Sequence, residues 1–111
     1  MGASNVLRGM KRKGGLRPEP TTYRLSLAPT GRARCRACKR TVDMRSLRVE
    51  ACVFVMPGRR TTFVAHTQCV PVGWVREIVR VYGSADRLPV QDGVDAALAA
   101  EARQRIAGLV A

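Results

Sequence analysis

The fold is decided by Cys35-Arg36-Ala37-Cys38, which is matched beyond residues 39–65 by His66-Thr67-Gln68-Cys69. In each pair two residues separate the two ligand residues, so a tight turn can direct both side chains toward one ion. Three thiols and one imidazole are a common structural ligand set for Zn²⁺, which takes four ligands in a tetrahedron. The sequence therefore predicts one structural zinc ion, held by Cys35, Cys38, His66 and Cys69.

Other interpretations of these residues stay open at this point. A Cys-x-x-Cys pair also marks redox dithiols, although no alternation of strands and helices surrounds this one. His66 and Cys69 are also compatible with ordinary core positions, and a nucleophilic Cys–His pair would leave two cysteines without a role. Three cysteines in a zinc pattern favour a reducing compartment, and Cys52 has no assigned chemistry.

The charge of the chain is large and unevenly distributed. The 111 residues carry a formal net charge of +12. Residues 32–60 contain nine basic and two acidic side chains, whereas residues 61–111 contain five of each. A basic half joined to a neutral half is typical of a polyanion binder, so we expect nucleic acid as the partner. No apolar run approaches the roughly 18 residues of a membrane span, and no membrane partner is expected.

Composition divides the chain into an arm and a domain. Residues 1–20 are rich in glycine, proline and basic residues and have few side chains for a core. They are predicted to form a flexible basic arm. Residues 21–111 have the length of one small domain, for which a metal is a useful supplement to a modest core.

Hydrophobic periodicity predicts an α+β fold: a small zinc-stabilised antiparallel sheet of about three strands, a short helix after the last ligand and a C-terminal helix. The predicted strands are residues 22–28, 47–56 and 61–65, with a turn at 57–60. The predicted helices are residues 72–82 and 93–110, the second capped by Asp92. Their predicted core faces consist of Trp74, Val75, Ile78, Val79 and Tyr82 in the first, and Leu98, Ala102, Ile106 and Leu109 in the second.

The hairpin between the ligand pairs has an unusual tip. It combines Met56 and Pro57 with Arg59 and Arg60. In nucleic-acid binders, apolar side chains stack on bases while arginines contact phosphates. The alternative is an ordinary tip whose methionine folds back onto the core. A second basic group surrounds the first ligand pair, and within it Arg34 is a predicted DNA-binding residue.

Several motifs together resemble the zinc finger of poly(ADP-ribose) polymerases, which also occurs at the start of a vertebrate DNA ligase. They are Tyr23-Arg24-Leu25-Ser26-Leu27, Gly31-Arg32-Ala33-Arg34-Cys35-x-x-Cys38, Ser46-Leu47-Arg48, His66-x-x-Cys69 and Val90-x-x-Gly93-Val94 with Leu98 and Gln104-x-Ile106. The resemblance covers roughly residues 23–107.

The resemblance implies a module that recognises DNA nicks, gaps and ends by structure rather than by sequence. It implies that Arg32 and Arg48 contact phosphates. The family's two apolar stacking residues correspond to positions near Gly58 and Thr61, neither of which is apolar here. Met56 and Pro57 are therefore expected to take the stacking role.

We expect a DNA-binding protein of the nucleus that is not an enzyme and that works with a repair enzyme in trans. One alternative is an RNA-binding zinc component of a ribonucleoprotein, such as a mitochondrial or other organellar ribosome. A second alternative is a protein-interaction adaptor that uses the neutral helical half.

Overall fold

The computed structural model describes residues 20–109. The arm predicted for residues 1–20 lies outside this range except for Pro20. The chain forms a three-stranded antiparallel sheet in the order β1-β2-β3, followed by two helices separated by a short 3-10 turn. The elements are β1 (Thr22–Leu27), β2 (Leu47–Met56), β3 (Arg59–His66), α1 (Val72–Tyr82), the 3-10 turn (Ala85–Arg87) and α2 (Ala96–Gly108). The predicted α+β class is confirmed.

The sheet has one apolar face and one polar face. Leu25, Val49 and Ala65 lie opposite one another across the three strands and are fully buried. Because side chains alternate along a strand, their neighbours point to the other face. There Arg24 pairs in register with Glu50. The apolar face contributes to the same core as the helices, and the other face carries most of the polar side chains of the sheet.

The hairpin between β2 and β3 is tighter than predicted. Its loop contains only Pro57 and Gly58, so β3 begins at Arg59 instead of residue 61. Gly58 has a φ of 78°. A positive φ is common at the turn residue that directly follows a proline, and glycine adopts it without strain. A register shift between Phe54 and Met56 places Val55 in a bulge. The bulge and the short loop direct apolar side chains outward at the tip.

Helix α1 has the bounds that the sequence predicts. Its Val75 and Ile78 are buried, but Val79 is 42% exposed, so the prediction of Val79 in the core was wrong. Val79 lies at the edge of the apolar stripe of α1. The hydroxyl of Tyr82 accepts from the Tyr23 N–H at 3.0 Å and donates to the Tyr23 carbonyl at 3.1 Å. These bonds attach α1 to β1.

Helix α2 begins later than predicted and buries only part of the predicted face. Asp95 is the N-cap and accepts from the Leu98 N–H at 3.1 Å, so the prediction of Asp92 was wrong. Ala102 and Ile106 are buried as predicted, together with Ala99, but Leu98 is 51% exposed, so its prediction in the core was wrong. The small side chains of Ala99 and Ala102 permit close approach to the core.

Across residues 20–109, every helix is too short or too polar to cross a membrane.

Candidate metal centre and basic surface

The four predicted zinc ligands converge at one end of the sheet. One ligand atom from each of Cys35, Cys38, His66 and Cys69 lies within 4.8 Å of the other three. The Cys38 Sγ is 3.4 Å from the His66 Nδ1. A Zn–S bond of about 2.3 Å and a tetrahedral angle place neighbouring ligand atoms roughly 3.5–4 Å apart. The cluster is therefore positioned to bind a single zinc ion.

Local hydrogen bonds position the first ligand pair. Cys35 forms a parallel bridge with Val64, and the next N–H, from Arg36, donates to the Val64 carbonyl at 2.7 Å. The Lys39 N–H donates to the Cys35 carbonyl at 3.0 Å, and Lys39 has a φ of 68°. These bonds form a tight loop, residues 34–40, against the edge of β3. We call it the zinc loop.

The second ligand pair lies at the end of β3. His66 is the last residue of the strand, and its carbonyl accepts from the Cys69 N–H at 2.9 Å. The His66 Nε2 is 3.2 Å from the Thr41 carbonyl oxygen. Since a carbonyl only accepts, Nε2 carries the proton and Nδ1 presents its lone pair to the metal. Sequence reasoning missed Thr41, because a backbone carbonyl leaves no side-chain signal.

The thiols have opposite tendencies to ionise. Burial opposes ionisation of Cys35, but backbone hydrogen bonds at Cys38, His66 and Ala37 outweigh it and lower the pKa of Cys35 to about 6. Burial, followed by the charges of Cys35 and Cys38, raises the pKa of Cys69 to about 11. Neighbouring thiolates repel one another, and a divalent cation removes that repulsion. A zinc site therefore explains the four side chains better than a redox dithiol does, because a dithiol would leave His66 and Cys69 without a role.

The predicted basic residues do not share one environment. Arg32 and Arg34 are exposed on the segment that leads into the zinc loop. Arg48 is only 8% exposed, and its guanidinium donates to Ser26 Oγ at 3.2 Å and to Glu50 at 2.9 Å. A phosphate contact by Arg48 stays a prediction, and it would compete with Glu50 for the same guanidinium.

The hairpin tip is exposed and mixes apolar with basic side chains. Val55 is 60% exposed and Met56 is 50% exposed, so Met56 does not fold back onto the core. Pro57, Arg59 and Arg60 are also exposed. Sequence reasoning missed Val55, which strand alternation alone would not place beside Met56. The bulge brings both residues to the surface.

Most cations of the basic half have no carboxylate partner. Within residues 20–109, ion pairs join Glu50 to Arg24 and Arg48, and Glu77 to Arg80. The cations near the zinc loop and the hairpin tip lie outside these pairs; they are Arg32, Arg34, Arg36, Lys39, Arg40, Arg59 and Arg60. Their charge remains available to a polyanion.

No known protein-family model matches this chain, and a search of the curated proteins finds no match. Fold and site alone define the class. The protein is a small α+β module with a Cys₃His zinc centre.

Proposed function

We propose that this protein is a zinc-dependent DNA-binding module that recognises strand breaks or distorted DNA by structure rather than by sequence. The observation that carries the proposal is the exposed tip, in which Val55, Met56 and Pro57 lie beside Arg59 and Arg60. The resemblance to the zinc finger of poly(ADP-ribose) polymerases supports the same function.

The tip suits the chemistry of a break. An intact duplex covers its base faces by stacking, and a nick allows one face to open. Apolar side chains can cover that face whatever the base, with a stacking contribution of about 1–3 kcal/mol per base. Arginines beside them bind phosphates and add affinity that falls with salt. Together these contacts favour a broken duplex without reading its sequence.

The metal centre supports this role by holding the base of the hairpin. His66 ends β3, and Cys35 lies beside Val64 on the same strand. A zinc ion would link the zinc loop to β3 and limit the motion of the tip. We propose no catalytic role for the protein. In a nucleus it would recruit, or compete with, a repair enzyme in trans.

The test is fluorescence anisotropy of zinc-loaded protein with a nicked duplex, the same duplex intact and a structured RNA, at low and near-physiological salt. We expect the nicked duplex to bind at least about tenfold tighter at the higher salt, or about 1.4 kcal/mol. Met56→Gln should reduce that preference. Leu98→Gln is the matched control, because Leu98 lies on α2 with nearly the same exposure as Met56. This substitution should leave the preference for the nicked duplex unchanged.

Equal binding to all three probes, weakening together with salt, would refute break recognition. Tighter binding to the RNA would favour the ribonucleoprotein alternative, including its organellar location. The adaptor alternative stays a prediction, and it requires DNA affinity that vanishes at physiological salt.

A further inference from the structure

A cavity of about 430 Å³ opens between the zinc loop and the sheet. The loop contributes the cations Arg34, Arg36 and Lys39, while the strands contribute Arg48 and the uncharged side chains Thr62 and Phe63. Among residues 20–109, no acidic side chain lines it. We call it the zinc-loop cavity. Its volume falls within the roughly 300–1,000 Å³ range of small-molecule sites.

The cations of the zinc-loop cavity are held in place by the loop itself. The Arg34 guanidinium donates to the Lys39 carbonyl at 3.3 Å, and the Lys39 Nζ donates to the Arg36 carbonyl at 3.0 Å. The Arg36 guanidinium lies 4.6 Å from the centre of the Phe63 ring. Such ordering reduces the conformational entropy that a bound anion would otherwise have to offset.

The three loop cations form no ion pair among residues 20–109. Their partners are carbonyl oxygens and an aromatic ring, which do not neutralise them, and the ion pairs of these residues involve only Arg24, Arg48 and Arg80 as cations. Arg48 differs, because Glu50 neutralises it. A second cavity, of about 660 Å³, contains Arg24 and Arg60 together with Glu50. The zinc-loop cavity is therefore the stronger anion site of the two.

The zinc-loop cavity also offers a surface for a base. Arg36 and Phe63 form a stacked pair at its wall, and both guanidinium and phenyl planes stack on nucleobases. A phosphate beside that wall would meet several cations at once. A terminal phosphomonoester gains more than an internal diester, because it carries nearly twice the charge near neutral pH.

We propose that the zinc-loop cavity binds a nucleotide that ends in a phosphomonoester. The protein would then distinguish phosphorylated breaks from hydroxyl-ended ones. This inference rests on the proposed function and adds a requirement on the chemistry of the break. It concerns a site separate from the hairpin tip.

The first experiment tests the cavity without any break. Thymidine 5′-monophosphate and thymidine are titrated separately into zinc-loaded, ¹⁵N-labelled protein. We expect the nucleotide, and not the nucleoside, to shift the amide signals of Arg36 and Phe63. Equal effects of both ligands, or shifts confined to other residues, would overturn the proposal.

The second experiment compares one nicked duplex bearing a 5′-phosphate, a 3′-phosphate or only hydroxyls at the nick. We expect one phosphorylated form to bind about tenfold tighter, which corresponds to one added charge-assisted hydrogen bond. Arg36→Gln should remove this difference but keep the preference for nicked over intact DNA. Equal binding of all three nicks by the wild-type protein would overturn the proposal.

Two further variants control for folding. Lys39→Asn removes a cavity cation at a left-handed position that asparagine tolerates, and it should also abolish the phosphate preference. Arg76→Gln removes an exposed cation from α1 and should change nothing. Zinc content is measured for each variant. If a variant without Arg36 or Lys39 keeps both its zinc and its preference for the phosphorylated nick, phosphate binding in the zinc-loop cavity is refuted.

The two proposals can fail separately. Nucleotide shifts at Arg36 and Phe63 without a preference for nicks would refute break recognition and support the cavity. A preference for nicks that does not depend on the terminal phosphate, without nucleotide-induced shifts at Arg36 and Phe63, would support break recognition and refute phosphate binding in the cavity.

Discussion

The Cys38 Sγ lies 3.4 Å from the His66 Nδ1, although the two residues are 28 positions apart in the chain. One belongs to the zinc loop and the other ends β3. Any metal bound between them closes a long segment of chain, and the free energy of metal binding then contributes to folding. The metal centre is thus part of the fold as well as of the proposed site.

We predict that Cys38→Ala abolishes zinc binding and unfolds the hairpin half of the protein. Zinc content by atomic absorption and a thermal melt by circular dichroism measure the two effects. Cys52→Ala is the matched control, because Cys52 lies outside the ligand cluster and should keep both zinc and the folding transition. A Cys38→Ala protein that melts like the wild type would contradict the structural role of the metal.

Glu50 predicts a pH dependence of stability. Burial raises the pKa of Glu50, but hydrogen bonds from Arg24 and Arg48 outweigh it and lower the pKa below its ordinary value of 4.5. The unfolded chain therefore binds a proton more readily than the folded one. Stability from Glu50 is complete above pH 4.5 and is lost as the pH falls through the lowered pKa.

Glu50→Gln should accordingly destabilise the protein at neutral pH by about 2 kcal/mol, because Arg48 stays buried without its anion. Urea denaturation of both proteins from pH 7 down to pH 3.5 measures the difference, which should narrow below pH 4.5. Glu77→Gln, which breaks an exposed pair on α1, should change stability little. A difference that does not depend on pH would count against the ion pair.

The two glycines Gly58 and Gly73 should respond to alanine in opposite directions. Gly58 has a φ of 78° and open space around it, so Gly58→Ala meets only backbone strain and should cost about 1 kcal/mol. Gly73 lies in α1, also in open space, and Gly73→Ala should stabilise by up to about 1 kcal/mol. Chemical denaturation measures both. Equal effects would mean that the turn does not require a left-handed residue.

The start of α2 can be tested with two aspartates. The Asp95 side chain accepts from the Leu98 N–H at 3.1 Å, so Asp95→Ala should cost about 1 kcal/mol of stability. Asp92→Ala should be nearly neutral, because α2 starts only at Ala96. Thermal denaturation of the zinc-loaded variants decides between them. A larger loss of stability for Asp92→Ala than for Asp95→Ala would mean that Asp92 is the N-cap, as the sequence predicted.

Paired and unpaired arginines should differ in DNA binding. Arg32 is exposed with no carboxylate partner among residues 20–109, and Arg32→Gln should weaken binding and reduce the slope of log affinity against log salt by about 1. Arg80 is already neutralised by Glu77, so Arg80→Gln should leave the slope nearly unchanged. Salt titrations with one nicked duplex provide the slopes. If both variants give the same slope of log affinity against log salt, Arg32 does not contact DNA.

Local chemistry was sufficient to predict the metal centre, the bounds of β2 and the approximate positions of β1 and β3. The ligand spacing indicated which side chains share an ion, since a Cys-x-x-Cys turn and a His-x-x-Cys turn each direct two donors to one point. Helix α1 was predicted to the residue, because Trp74, Ile78 and Tyr82 recur every four residues and Gly83 follows them. Each of these signals lies within a few residues of the feature that it predicts.

Tertiary packing decided the rest. Leu98 and Ala99 are adjacent in the chain, and only the close approach of α2 to the core determines that the alanine is buried and the leucine exposed. Arg48 likewise resembles a surface cation until β1 pairs with β2 and brings Ser26 to it, beside Glu50, which lies two residues along β2. The zinc-loop cavity exists only because residues 34–39 lie against β3. Sequence patterns report the preferences of neighbouring residues, whereas burial depends on groups that the fold brings together from distant positions.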